Sequence, residues 1–204
     1  MSRPRESWSA EPLRALLARY DTDAHCSQYE LTGEGAKPRR LRKASLPKLR
    51  ERGFDVEMGV LLIDVDGPDH GKIDPAALAE WRAEQLRAVE SLPFPVARYD
   101  TRGGYRLVWT YPVAVTTEDH ETLYYPALVE LLAAHGIEAD PACKDWTRLF
   151  RVPFVRRDGE DEDPPHTLNG GLPVLPVAQI DIERFQRERE AARVERKASR
   201  RSLA

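Results

Sequence analysis

Cysteine is nearly absent: Cys26 and Cys143 are the two thiols among 204 residues. Two isolated thiols exclude a disulfide framework and a cysteine-rich zinc site, which need several cysteines at set spacings. They fit a reducing, intracellular setting. No apolar run approaches the roughly 20 residues that cross a bilayer, and the opening MSRPRESWSA lacks the apolar stretch of a signal peptide. The expectation is a cytoplasmic protein with no membrane partner. A P-loop GxxxxGK[ST] is also missing, so no P-loop motor is expected within this chain. There is no His-hydrophobic-His pair of the kind a replication-initiator nuclease uses for its metal. Net charge is only −3, so nucleic-acid binding needs a local basic face rather than bulk charge.

What is present suffices for one domain with a sizeable core. The hydrophobic fraction of 41% is ordinary and the charged fraction of 32% is high. The chain is organised around residues 59–67, GVLLIDVDG, an apolar, β-branched run that predicts a buried strand. Alternation puts Asp64 and Asp66 on one face with Leu62 and Val60, and Leu61, Ile63 and Val65 on the other. The two carboxylates then stand roughly 7 Å apart. Neighbouring anions at the end of an apolar strand repel each other and resist desolvation, and a hard divalent cation with oxygen ligands resolves both problems.

Before this strand, residues 9–20 predict a short helix capped by Ser9, and Tyr29–Leu31 a short strand. Lys37, Arg39, Arg40, Arg42 and Lys43 open a basic run that suits nucleic-acid phosphates. Ser45 and Pro47 start a short helix. After the strand, Asp74 caps a helix over about 76–92 with Leu78, Trp81, Val89 and Leu92 on one side. Residues 96–111 predict a hairpin turning at Thr101-Arg102-Gly103-Gly104. Tyr105, Leu107 and Trp109 share one face, and Arg106, Val108 and Thr110 the other. Thr116 or Thr117 caps the next helix, with Pro126 imposing a kink or a late start. A loop follows, flanked by Asp140 and Asp145, then a strand over Thr147–Val152 carrying Arg148 and Arg151. The charged segment 156–166 predicts a solvated loop, 172–177 a last strand, and the tail a helix that frays past Arg193.

Taken together, LLIDVDG at 61–67, TRGGYRLVW at 101–109 and ADPACKDWTRLFRVP at 139–153 resemble the archaeo-eukaryotic primase (AEP) superfamily. The likeness is to the primase-polymerase catalytic domains of plasmids and phages, and it covers about residues 55–155. It implies an α+β fold in which an RRM-like antiparallel sheet with packed helices, about 56–178, joins a small N-terminal αβ module, about 1–55. A charged tail, 179–204, follows. It implies DNA-template-dependent nucleotidyl transfer, making primers for a plasmid, phage or other mobile element. Mg²⁺ or Mn²⁺ would occupy a two-metal site formed by Asp64, Asp66 and Asp140, with Asp145 competing for the third place. Arg102, Gly103, Gly104, Arg106, Arg148 and Arg151 would bind nucleotide phosphates. Implied partners are single-stranded DNA template, nucleoside triphosphates and a separate helicase or replication-initiator protein. One position departs from the family: Arg106 stands where the second motif has His. Arginine pairs bidentately with phosphate but does not titrate near neutrality. A catalytically weak or inactive primase-like module that binds single-stranded DNA or nucleotides is the alternative this departure raises.

Overall fold

A computed structural model describes residues 25–37, 39–152 and 172–202. The helix expected at 9–20 and the loop expected at 156–166 lie outside the described residues. The architecture is α+β, with antiparallel sheets and helices along one chain. The elements are β1 (His25–Ser27), β2 (Tyr29–Thr32), α1 (Leu46–Glu51), β3 (Asp55–Asp66), α2 (Pro75–Glu90), β4 (Ala97–Asp100), β5 (Gly104–Thr116), α3 (Tyr125–Ala134), β6 (Leu149–Arg151) and α4 (Ile182–Ser202).

Four strands form one sheet in the order β2-β3-β5-β4, and β1 pairs with β6 in a second, two-stranded sheet. The predicted alternation holds. Leu61, Ile63, Tyr105, Leu107 and Trp109 have no exposed surface, and α2 lies against them through Trp81, whose ring is 5.8 Å from that of Tyr105. Asp74 caps α2 by accepting hydrogen bonds from the Ala76 and Ala77 amides, which supplies acceptors for otherwise orphaned helix donors.

Four expectations need adjusting. The central strand begins four residues earlier than residue 59, at Asp55. Strand β5 continues past Tyr111 to Thr116 despite Pro112. It does so because the β3–β5 register jumps between Met58↔Val115 and Val60↔Thr110. Residues 111–114 therefore bulge, and the amide that Pro112 lacks is not required. The stretch 172–177 contributes only a single bridge, Thr110↔Val174. The tail helix runs to Ser202 rather than ending near Arg193, and its Arg184, Arg189 and Arg193 pair with Glu130, Asp119 and Glu118.

The helical segment opens at Thr117, where the Thr116 hydroxyl accepts from the Asp119 amide, so Pro126 goes with a change of winding rather than a late start. A π-helical stretch, His120–Tyr124, precedes α3, which begins at Tyr125. This places His120 fully inside the protein, with Nδ1 2.7 Å from the Tyr111 hydroxyl. Burial, with Lys43 adding to it and the Cys143 carbonyl opposing, pushes the His120 pKa down to about 4. A His held neutral in the fold takes up a proton on unfolding once the pH drops below its unfolded value of about 6.5. Its contribution is therefore complete above that pH and is lost progressively toward pH 4. Urea unfolding is expected to show on the order of 3 kcal/mol less stability at the lower end of this window. His120→Asn should flatten that part of the profile, and an unaltered slope in the variant would contradict the assignment.

Candidate functional site

Strand pairing builds the first part of the site. Asp64 on β3 faces Arg106 on β5, which in turn faces Tyr99 on β4. The three side chains form one row across the sheet. Arg106 forks onto Asp64, with Nε to Oδ1 and Nη2 to Oδ2 both 3.2 Å. Its Nη1 donates to the Arg151 carbonyl at 2.6 Å and to the Tyr99 hydroxyl at 3.4 Å. The guanidinium also lies 5.5 Å from the Phe150 ring centroid and 5.7 Å from that of Tyr99, within cation–π range.

The second part comes from the way the remaining edge of β3 is covered. Strand β2 pairs only with Asp55 to Met58, so among the described residues 60–66 have no strand neighbour on that side. Gln28 and the loop around Cys143 take its place. Buried Gln28 accepts from the Leu62 amide at 2.7 Å and donates to the Cys143 carbonyl at 3.1 Å. The Asp64 amide donates to Cys143 Sγ at 3.3 Å, and the Asp140 amide donates to the Asp64 carbonyl at 2.8 Å. A buried strand edge must find such partners, and here they bring Asp140 beside Asp64. Arg148 then bridges the two acids, with Nη1 2.5 Å from Asp140 Oδ2 and Nη2 3.5 Å from Asp64 Oδ2.

Four predicted residues, Asp64, Arg106, Asp140 and Arg148, thus converge from three segments. Asp66 ends β3 two residues beyond Asp64, exposed, opposite Gly104. The turn is held against the strand end by the Gly67 amide on the Gly103 carbonyl, 2.6 Å. Arg82 of α2 donates to the Thr101 and Arg102 carbonyls.

Other candidates go elsewhere. Asp145 accepts from the Thr147 amide and hydroxyl and lies 3.6 Å from Lys43. Burial works against its charge, but these partners outweigh it and hold the carboxyl below its ordinary value. Arg151 meets the site through its backbone carbonyl, which accepts from Arg106 and from the Tyr99 hydroxyl. Lys37, Arg39, Arg40 and Arg42 are exposed, while Lys43 pairs with Glu121 at 2.5 Å. A cleft of about 380 Å³ is lined by Arg40, Leu41, Arg42, Lys43 and Thr147, so the basic run borders the residue before Arg148. Gln28 and Cys143 were not anticipated as site-builders, since neither carries a motif.

Electrostatically, the centre is a buried anion between two cations. Asp64 is 5% exposed. Burial pushes its carboxyl up from the ordinary value, with Arg106 and Arg148 pulling it back and Asp66 adding to the rise. Burial likewise opposes the charge of Arg106, and Tyr99 and Asp64 more than offset it. Burial pushes the Cys143 thiol up to about 12, so Cys143 is a neutral packing group rather than a nucleophile. Among the described residues no three His, Cys, Asp or Glu side chains form a group able to hold a metal ion. The Asp64 and Asp140 carboxylates are turned to arginine instead. Their donor chemistry still suits a hard divalent cation, since all three acids offer oxygen alone, and Arg148 already puts positive charge between two of them. Among the described residues no helix is long and apolar enough to cross a membrane. Comparison of the chain with protein-family models, curated proteins and solved structures found no match.

Proposed function

We propose that this chain is a metal-dependent nucleotidyltransferase of the primase-polymerase type, copying single-stranded DNA from nucleoside triphosphates. The observation that carries the reading is the convergence of Asp64, Asp140, Arg106 and Arg148, from β3, β5 and the loop before β6, beside exposed Asp66. The chain order β3–α2–β4–β5–α3 in an antiparallel sheet supports an RRM-like core, an argument from fold analogy. Asp64, Asp66 and Asp140 would hold Mg²⁺ or Mn²⁺, which supplies activation of the attacking hydroxyl and charge neutralisation at the leaving pyrophosphate.

The chain's own residues divide the remaining work. Arg148, partly exposed and held on Asp140, would turn its fork to the triphosphate. Arg106 is committed to Asp64, Tyr99 and Arg151, so it positions Asp64 and offsets its charge rather than reaching for substrate. Tyr105 and Trp109 are wholly buried and serve the core, leaving base stacking to other groups. The cleft beside Arg40 and Arg42 provides cationic side chains for template phosphates.

The same Arg106 fork favours a second reading, a nucleotide- or DNA-binding accessory that performs no synthesis. Incubation with single-stranded template, labelled nucleotides and Mg²⁺ or Mn²⁺ separates the two. Primer products from the natural protein, lost in Asp66→Ala, are the expected result. Tight template binding with no product under either metal would establish the accessory role instead.

A further inference from the structure

The two guanidiniums on Asp64 differ in kind. A carboxylate offers about four lone-pair positions. Arg106 takes one on each oxygen, and its third nitrogen and its ring contacts anchor it: its side chain is 13% exposed. Arg148 is 29% exposed and touches Asp64 at 3.5 Å, a long contact, while its other terminal nitrogen holds Asp140 at 2.5 Å. Arg106 belongs to the sheet. Arg148 is a bridge between acids of separate segments.

We propose that Arg148 is a latch, an internal stand-in for the divalent cation on Asp64 and Asp140. In the protein alone it pairs with Asp140 and shares Asp64 with Arg106. An ion held by the same two acids displaces it, and its fork becomes available to the triphosphate. Metal binding and triphosphate binding are thereby coupled, since each ligand removes a cost the other would otherwise bear. This inference rests on the nucleotidyl-transfer reading of the site and adds an order of events to it.

Mn²⁺ alone, titrated into the full chain and followed by the paramagnetic resonance of the free ion, tests the latch without nucleotide or catalysis. Arg148→Gln is expected to bind Mn²⁺ about tenfold more tightly than the natural protein. Arg148→Lys keeps the charge but offers a compact ammonium in place of a fork, so it should gain at least about threefold. Adding Asp64→Asn to Arg148→Gln should abolish the gain, which locates the ion. Thermal melts of each variant verify folding. Unchanged or weaker Mn²⁺ binding in both Arg148 variants overturns the latch, whether or not primers are made. A gain confined to the Gln variant also overturns it, because charge alone would then explain the effect. The expected Mn²⁺ pattern in a protein that never synthesises primers leaves the latch standing and removes the polymerase reading.

Discussion

Asp64→Ala is expected to cost on the order of 3–5 kcal/mol of folding stability as well as all synthesis, because it strands Arg106 as an uncompensated cation inside the protein. The fork between them is buried on both sides, with the side chains 13% and 7% exposed. Water is therefore a poor substitute for the lost partner. A further substitution, Arg106→Met, should restore much of the stability while leaving the protein inactive, since replacing both members of a buried pair with apolar groups often recovers the loss. Asp66 gives the contrasting result. It is exposed at the end of β3, so Asp66→Asn should change stability by only about 0.5 kcal/mol. On the proposed reading of Asp66 as a metal ligand, its expected loss of synthesis is on the order of 100-fold. Urea unfolding and primer synthesis measured on the same four proteins check the scheme. Equal stability of Asp64→Ala and the natural protein would refute it. Under the proposed function, Asp66, not Asp64, is the position at which synthesis is removed with little loss of stability.

This difference between two acids in one Asp-x-Asp pattern marks the limit of what the residues alone convey. Alternation over 59–67 places both carboxylates on one face of a strand, and the glycine turn at 101–104 brings Arg106 back toward them. Both features are short-range and visible in the chain. That Asp140 rather than Asp145 lies beside Asp64 is not, because both flank the same loop at similar spacing. It follows from the way Gln28 and Cys143 cover the edge of β3 at Leu62 and Asp64, through contacts that include residues 115 and 79 positions apart. Neither residue has a composition or period that announces such a task. The three-residue strands β1 and β6 are likewise too short to show a repeat, yet their pairing sets Phe150 and the Arg151 carbonyl against Arg106. The arginine that replaces the histidine of the resembled family is legible in the chain, but its fork onto Asp64 depends on the Asp64↔Arg106 register. A residue expected to reach outward for phosphate is instead held inward by charge, ring contacts and a carbonyl.

Gly104→Ala should be among the most damaging substitutions in the protein, at about 3 kcal/mol or more. A Cβ at this position would stand 2.0 Å from the Val65 carbonyl oxygen and 3.1 Å from Asp66 Cα. Both obstacles are backbone, so no side-chain rotation relieves them. The strands must separate where Gly104 faces Asp66. That movement lifts the end of β3 away from the turn and disturbs Asp64↔Arg106 two residues on, so stability and function should fall together. The melting temperature is expected to drop by roughly 6–12 °C for a chain of this size. Gly136→Ala is the control. It has open space around the new methyl but a φ of +76°, and should cost only about 1 kcal/mol with synthesis unchanged. If Gly104→Ala melted as Gly136→Ala does, the close approach of the two strands could not be what seats the acids beside the turn. A normal Mn²⁺ titration in Gly104→Ala would count against that role equally, because it would mean that Asp66 and Asp64 keep their places without the glycine.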